Sequence, residues 1–311
     1  MAITDYGVKA ALGRALETTP QSDKLANLAF RVASQLPAGD GEKLDFLGMV
    51  PALREWVGAR SAKKPLEHRY SVTLKKFEST VELPLDWINN DKTGLVQAQM
   101  SMLAQRYNPQ WYGKRVANLL NDGATLTGFD GKAYFADDHA WGDSGTIDNK
   151  LTFAAATGTT PTANEAASAI VEAVAALMGF KDDRGEPINE SMTSLTIVAP
   201  TGSLGAAVMQ AVKEKNLDVG TGVRTNPVLG LGLNIDVVVS ARVTVQRMFC
   251  INSSPGAVPF VFIENTSEFK RTMKGPGSDF EHDSDAWQVG LKAVGEAGYG
   301  RFTDAVSTEF T

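Results

Sequence analysis

Residues 47–91 decide the fold of this chain, and their most informative parts read V-P-A-L-R-E-W-V-G-A-R at 50–60 and Y-S-V-T-L-K-K-F-E-S-T-V-E-L-P-L at 70–85. Apolar and polar residues alternate from Tyr70 and again from Phe77, which predicts two strands, each with one face in water. The tract 61–67 contains two lysines and a proline and suits the tip of a long excursion. A two-stranded ribbon is marginally stable by itself. We therefore expect residues 50–60 and 70–85 to form the two legs of an arm that lies on another surface.

The spacing of apolar residues becomes helical after Asp91. They recur every three or four positions up to the stop signal N-D-G at 121–123, and the set comprises Val96, Met100, Leu103, Tyr107, Tyr112, Val116, Leu119 and Leu120. A continuous helix over 92–122 would be about 45 Å long at 1.5 Å per residue. Proline cannot donate a helical hydrogen bond, so the Asn108-Pro109 pair predicts a kink or a break.

The rest of the pattern mixes helices and strands. We expect a partly helical stretch within 1–40 and a loop-rich region over 125–161. Thr162-Ala163-Asn164-Glu165 matches a capping box and predicts a helix with a buried stripe at Ala167, Ile170, Val171, Val174, Leu177 and Met178. A second helix is predicted at 203–213, with strands at 194–199, 233–239, 247–251, 259–263, 269–273 and 287–293. This order is not a regular βαβ series, so the predicted fold class is α+β.

Composition excludes several classes of protein. The 311 residues are 43% hydrophobic, which is ample for a core, and the net charge of -6 lacks the basic footprint of a sequence-specific nucleic-acid binder. A wall that encloses packaged nucleic acid remains compatible with this charge. No stretch has the roughly 18 apolar residues of a membrane span, and no basic and apolar leader opens the sequence. We expect a soluble protein that is not exported and does not bind membranes.

The best metal-like cluster is Asp137-Asp138-His139, with Asp143 nearby. Adjacent residues rarely point at one ion, so we interpret this run as a solvated, hydrogen-bonded loop and keep a metal site as the alternative. The run His282-Asp283-Ser284-Asp285 contains the residue types of a catalytic triad. Triads are assembled from distant elements, so we interpret it as a turn.

Other signatures of catalysis or cofactor binding are missing from the sequence. Gly220-Thr221-Gly222 lacks the further glycine of a dinucleotide loop, and Gly230-Leu231-Gly232 precedes a predicted strand where a phosphate loop would precede a helix. Cys250 lies in an apolar run and is expected to be a buried strand thiol. We predict no catalytic residue, no metal ligand and no cofactor, and hence a protein that is not an enzyme.

Three motifs closely resemble the Mu-like phage major head subunit family: Val50 to Arg60, Phe77-Glu78-Ser79-Thr80-Val81, and Asp130-Gly131 followed by Tyr134-Phe135 and Asp138-His139. Their order and spacing also resemble the family, most densely over about 45–140. The sequence departs from the family at 86–91, where the family tends to be more acidic.

The resemblance implies the Hong Kong 97-like capsid fold. It implies an N-terminal arm at 1–45, an extended β-hairpin loop at 46–90, and a peripheral domain with a long spine helix at 91–154. An axial α/β domain would follow at 155–250, and 251–311 would return to the peripheral domain. By resemblance, the extended loop would lie across a neighbouring subunit.

The implied function is that of a major capsid protein whose copies form hexamers and pentamers around double-stranded DNA, without sequence-specific binding. Scaffold, head-maturation protease and portal proteins are the expected partners. Assembly is expected in the host bacterial cytoplasm, and the final location is the virion. Charged contacts between subunits are expected from Arg54, Glu55, Arg60, Lys63 and Lys64, and an apolar anchor from Trp56.

Two alternatives remain open at this point. One is the shell of a cellular nanocompartment with the same fold, enclosing cargo enzymes. The other is a metal-dependent hydrolase that uses Asp137, Asp138 and His139, against which stands the absence of a further histidine nearby in the sequence.

Overall fold

The structure is a computed structural model that describes residues 5–18, 23–47, 67–90, 94–156 and 158–311. The chain divides into two compact units. The first unit comprises Met1–Glu42, Ser71–Val116 and Phe262–Gly298, and the second comprises Lys43–Tyr70, Ala117–Val261 and Tyr299–Thr311.

The α-helices of the described residues are, in chain order, α1 (Asp5–Thr18), α2 (Leu85–Asn89), α3 (Leu95–Asp122), α4 (Ala163–Gly179), α5 (Ser203–Lys213) and α6 (Asp279–Ser284). The strands are β1 (Ala29–Ala33), β2 (Gly41–Leu47), β3 (Glu67–Thr73), β4 (Lys75–Pro84), β5 (His139–Ala140), β6 (Thr146–Ile147), β7 (Lys150–Phe153), β8 (Ser194–Pro200), β9 (Asn216–Asp218), β10 (Val223–Thr225), β11 (Asn234–Ser240), β12 (Arg247–Asn252), β13 (Phe260–Glu264), β14 (Lys270–Lys274), β15 (Ala286–Tyr299) and β16 (Ala305–Phe310). The predicted mixed α+β class is confirmed.

The first unit is built on a five-stranded sheet in which β15 pairs with β13, β14 and β4. β13 pairs in turn with β1. β4 runs antiparallel to β15, from Pro84 opposite Ala286 to Lys75 opposite Gly295. The predicted alternating strand from Phe77 is confirmed as a strand, but it pairs within the sheet of the first unit, whereas we expected it to be a leg of the arm. Its Leu83 and Val81 side chains join a buried cluster that α1, α2 and α3 complete. The members of that cluster include Val8, Leu12, Ile88, Met100, Leu83, Trp287, Val289 and Leu291.

The predicted long helix is confirmed as α3, which is 28 residues long. It runs through Asn108 and Pro109 as one helix, so the predicted break is wrong. An interior proline costs a helix about 3 kcal/mol or more. Buried side chains on both sides of the proline, from Met100 and Leu103 to Val116 and Leu120, offset that cost by packing.

The second unit contains a sheet in the order β11-β8-β12-β16-β7. β8 and β12 lie inside it and are buried along nearly their whole length, which is why both appear in the sequence as continuous apolar runs. The strands predicted at 194–199, 233–239 and 247–251 are confirmed. β16, which pairs antiparallel with β12 and parallel with β7, was not predicted.

Helix α4 confirms the predicted capping box. The backbone N–H of Glu165 donates to Thr162 Oγ1 at 3.3 Å, and the Thr162 N–H donates to Glu165 Oε2 at 2.8 Å. The predicted buried stripe is only partly right, because Val171 and Met178 are half-buried. The helix buries a smaller-residue face that includes Ala166, Ala169 and Ala173. Alanine side chains are small and let α4 approach α5 and the sheet closely. The prediction from the spacing of large apolar residues therefore missed this face.

Strands β2 and β3 form a two-stranded sheet, so a ribbon does flank residues 48–66. Those residues lie outside the described part of the chain, as do the leg predicted at 50–60 and all but the last residue of the tip predicted at 61–67. Where the ribbon meets the first unit, Gly39 N–H donates to the Leu74 carbonyl at 2.8 Å and Leu74 N–H to the Asp40 carbonyl at 3.0 Å. Within the described ranges, no helix is long and apolar enough to cross a membrane.

Candidate subunit-contact site

The predicted contact residues Arg54, Glu55, Trp56, Arg60, Lys63 and Lys64 all belong to 48–66 and lie outside the described residues. The structure describes the strands on either side of them. On β3 and just beyond it, Val72 and Leu74 are buried while Ser71 and Thr73 are exposed. The ribbon is therefore anchored at its base by one apolar face.

Beside this ribbon base, the first unit contains a hydrogen-bonded aromatic cluster. Glu264, at the end of β13, accepts from the Tyr107 hydroxyl at 2.7 Å and from the Tyr112 hydroxyl at 2.6 Å. Burial, reinforced by the adjacent carboxylate, raises the pKa of both phenols above the usual tyrosine value. The Arg31 guanidinium lies 4.1 Å from the centre of the Tyr112 ring. These contacts fix the long helix to the sheet.

A second link between α3 and this sheet is ionic. Glu296 on β15 lies 3.0 Å from Lys75 Nζ and 3.5 Å from Arg115 Nη1. The Arg115 guanidinium also lies 4.9 Å from the centre of the Phe77 ring. Glu264 and Glu296 were not identified from the sequence. Glu264 could have been noticed in the sequence because it directly follows the apolar residues 260–263. An unpaired charge beside a buried strand costs free energy, so a partner for Glu264 was to be expected.

The metal-like run Asp137-Asp138-His139 does not form a metal site. His139 is fully buried, with Nδ1 2.6 Å from Asp130 Oδ2 and Nε2 3.2 Å from the Tyr134 carbonyl oxygen. Its ring stacks on Phe302 at a centroid distance of 4.0 Å. The predicted solvated loop is therefore wrong for His139, because the ring has both a stacking partner and hydrogen-bond partners inside the second unit.

The two aspartates of this run are exposed, as predicted. Asp138 pairs with Lys132 at 2.8 Å, and that ammonium lowers the pKa of the Asp138 carboxyl below its usual value. Across the described ranges, no group of three His, Cys, Asp or Glu side chains converges to hold an ion. The geometry does not support the alternative of a metal-dependent hydrolase at these residues.

The run at 282–285 also has no catalytic geometry. His282 to Ser284 end α6, and Asp285 caps it with a left-handed backbone, so the predicted turn is in fact the end of a short helix. The His282 side chain is exposed and its nearest charged neighbour is Asp283, 3.4 Å away. Ser284 is exposed on the same short helix, two residues from His282, so these residues do not converge from separate elements as the members of a triad do.

The remaining candidates have structural roles. Cys250 is fully buried in β12, as predicted, and burial raises the pKa of its thiol to about 12, which leaves it unreactive. Gly220 and Gly222 lie in the turn between β9 and β10. Gly230 and Gly232 lie at the end of a short 3₁₀ helix that precedes β11. Neither glycine stretch opens a helix of the kind that binds phosphate.

Comparisons with known proteins show a family to which the sequence is similar. Residues 4–164 match the family model described as Mu-like prophage major head subunit gpT. The major capsid protein of Escherichia phage Mu is 32% identical over 94 residues, which is 30% of this chain and 30% of that relative. The aligned region thus spans about a third of that relative's length.

Solved structures extend the likeness to the whole fold. The procapsid protein of bacteriophage JBD30 is 17% identical with a TM-score of 0.54, covering 99% of this chain and 77% of that chain. The capsid protein of cyanophage P-SCSP1u is 12% identical with a TM-score of 0.54, covering 91% and 86%. The chain therefore has the Hong Kong 97-like capsid fold. By its match over half its length, the chain belongs to the Mu-like prophage major head subunit gpT family.

Proposed function

We propose that copies of this protein assemble through their own surfaces into hexamers and pentamers that close as an icosahedral shell around double-stranded DNA. The observation that carries the proposal is the family match over residues 4–164 on a chain with a capsid fold. A closed shell needs complementary surfaces on each copy, because every subunit contacts several neighbours. The protein then acts by assembly and is part of the virion.

We assign the parts of the chain as the resemblance implies. Residues 46–90 would be the extended loop that lies on a neighbouring copy, with Arg54, Glu55, Arg60, Lys63 and Lys64 in charged contacts and Trp56 as an apolar anchor. Residues 1–45 would be the arm, 91–154 and 251–311 the peripheral domain, and 155–250 the axial domain. Support comes from the two-stranded β2–β3 sheet, whose strands flank all six of these contact residues in the sequence.

The partners follow from the same proposal. Scaffold, maturation protease and portal proteins would act on the shell during assembly in the bacterial cytoplasm. The enclosed DNA would not be gripped, since a net charge of -6 gives no general attraction for phosphates. DNA would therefore be retained by enclosure.

The test is electron microscopy of the purified full chain, produced with and without the scaffold from the same phage or prophage. Uniform closed particles with DNA protected from nuclease are expected when the packaging proteins are present. A protein that stays monomeric at every concentration, with scaffold, would overturn the proposal. Particles that enclose protein instead of DNA would favour a nanocompartment.

A deletion variant tests the assignment of the extended loop. Deletion of residues 58–66 should abolish particles and leave the subunit folded, as measured by circular dichroism and thermal melting. The matched control is Lys150→Ala, an exposed lysine on β7, which should leave particle yield unchanged. A deletion variant that assembles as well as the parent protein would contradict the loop assignment.

A further inference from the structure

The solvent face of the first unit's sheet carries a regular pattern of charge. The registers of β14, β15 and β4 place Lys270, Lys292 and Glu78 in one row across three strands. The next row is Thr272, Gly290 and Thr80, and the third is Lys274, Gln288 and Glu82. All these side chains point away from the core, because the odd-numbered neighbours Val289 and Leu291 are in the buried cluster.

Along the strands, the residues of these three rows form two outer columns of opposite charge, one on β14 and one on β4. The column on β14 is Lys270, Thr272 and Lys274, and the column on β4 is Glu78, Thr80 and Glu82, all six of them exposed. The middle column is close to neutral, since Lys292 Nζ lies 2.6 Å from Glu268 Oε2. Lys76, one row beyond, also interacts with Glu268. Over these three rows the face is thus positive on the β14 side and negative on the β4 side, whereas Lys76 adds a positive charge at the end of the β4 column.

The centre of the face is flat. A side chain at Gly290 would meet Thr272 Oγ1 at 2.8 Å and Thr80 Oγ1 at 3.0 Å from its Cβ. The threonine hydroxyls therefore cover the glycine, and in this row no long side chain projects between the two columns, whereas Lys292 and Gln288 occupy the middle strand in the rows on either side. A flat strip of small residues lets a second surface approach closely.

We propose that this face is a contact between two copies of the chain, related by a twofold axis that runs parallel to the strands. Rotation about such an axis exchanges the two columns and keeps each row, so Lys270 meets Glu78 of the second copy and Lys274 meets Glu82. Thr272 meets Thr80, and Gly290 meets itself on the axis. A twofold axis perpendicular to the strands would instead oppose lysines to lysines, so the charge pattern selects one orientation.

The inference rests on the proposed function, because it names one of the surfaces through which copies would associate. It differs from the proposed contacts of Arg54 to Lys64, since it uses described residues of β4, β14 and β15, of which only β4 belongs to the segment 46–90. A single exposed ion pair contributes little to the free energy of association. The twofold axis forms each of these pairs twice, and in a charge-reversed variant it would place like charges opposite each other twice.

The main experiment reverses the charge of one column at a time in the full chain. One variant carries Lys270→Glu and Lys274→Glu, and the other carries Glu78→Lys and Glu82→Lys. Each alone should need at least about tenfold more protein for half-maximal assembly, measured by light scattering, since like charges then face each other. An equimolar mixture of the two should restore assembly, because opposite columns meet again. Circular dichroism and thermal melting check that each variant is folded.

The outcomes separate the two proposals. If the parent protein forms shells and both reversed variants do so equally well, the twofold contact is overturned and the proposed function stands. If the reversed variants fail alone and the mixture also fails, the contact is again overturned, because loss without rescue shows another effect of the substitutions. If the parent protein never assembles, the proposed function fails.

A cysteine experiment tests the contact without requiring shells. Protein with Thr80→Cys is mixed with protein carrying Thr272→Cys under oxidising conditions, and disulfide-linked dimers are counted on a non-reducing gel. The mixture should give at least about fivefold more dimer than either variant alone, because position 80 faces position 272 and not itself. The native Cys250 is buried and does not interfere. Equal yields in all three samples would overturn the contact.

Discussion

The Tyr112 hydroxyl on the long helix donates a 2.6 Å hydrogen bond to Glu264 at the end of β13. The two residues lie far apart in the sequence, yet together they fix α3 to the sheet of the first unit. Tyr107 donates to the other oxygen of the same carboxylate at 2.7 Å. Both acceptor oxygens of Glu264 are thus used by α3.

Replacement of this carboxylate should loosen α3. We expect Glu264→Gln to destabilise the protein by about 1–2 kcal/mol, because an amide nitrogen cannot accept a tyrosine hydrogen bond. Urea unfolding followed by tryptophan fluorescence measures the change, and Trp111 lies next to both tyrosines. The matched control is Glu186→Gln, an exposed carboxylate in a loop of the second unit, which should stay within about 0.5 kcal/mol of the parent protein. An equal loss in both variants would contradict the role of Glu264.

Alkaline pH should destabilise the protein through the same tyrosines. Burial raises the pKa of Tyr107, Tyr112 and Tyr299 above the ordinary value of about 10. The unfolded chain then releases these protons first, so the contribution of these tyrosines to the free energy of unfolding is fully present below about pH 10 and is lost as pH rises above it. Denaturant titrations between pH 8 and 11 test this, in the parent protein and in Tyr112→Phe. The phenylalanine variant should show a shallower decline, and an identical decline would contradict the assignment to Tyr112.

Asn189 should be one of the least replaceable polar residues of the second unit. Its buried amide donates to the carbonyls of Leu177 at 3.0 Å and Thr303 at 2.7 Å, and it accepts from Asn252 at 3.0 Å. We expect Asn189→Ala to cost about 2–4 kcal/mol, because three buried groups lose their partner. Thermal unfolding measures the loss. The control Asn216→Ala, at an exposed position on β9, should cost less than about 1 kcal/mol, and a similar loss there would refute the argument.

The buried histidine gives a prediction that separates structure from metal binding. We expect His139→Ala to destabilise the second unit by about 2–3 kcal/mol, because it removes the Phe302 stacking partner and leaves Asp130 Oδ2 without its hydrogen-bond partner. Asp137→Asn, on an exposed neighbour, should leave stability unchanged. Thermal melts of both variants are measured with and without added zinc or manganese. A metal-dependent rise in the melting temperature of the parent protein that disappears in Asp137→Asn would revive the metal site.

Local patterns predicted much of the secondary structure. The period-two alternation from Phe77, the capping box at Thr162, the helix at 203–213 and the buried strand around Cys250 all appear in the structure. These features follow from short-range causes, such as side-chain alternation along a strand and the capping of free N–H groups. Elements with weak local signals were missed, among them β1, β7 and β16, which are stabilised by strands that lie far away in the sequence.

The candidate site was predicted only in part, for a physical reason. The contact residues near Trp56 were identified by resemblance and lie outside the described residues. The charged face on β4, β14 and β15 was invisible in the sequence, because Glu78, Lys292 and Lys270 share a row only once these strands pair. His139 was misjudged for a similar reason, since its partner Phe302 comes from the far end of the chain.

The sequence by itself determined the fold class, the long helix, about half of the described strands and the family resemblance, because periodicity and motif spacing are local properties of the chain. Only the tertiary structure decided which strand pairs with β4, where Glu264 finds its two tyrosines and which charges line one face of a sheet. Those outcomes depend on contacts between segments more than 150 residues apart, such as Tyr112 and Glu264, and no local pattern encodes the register of such pairs.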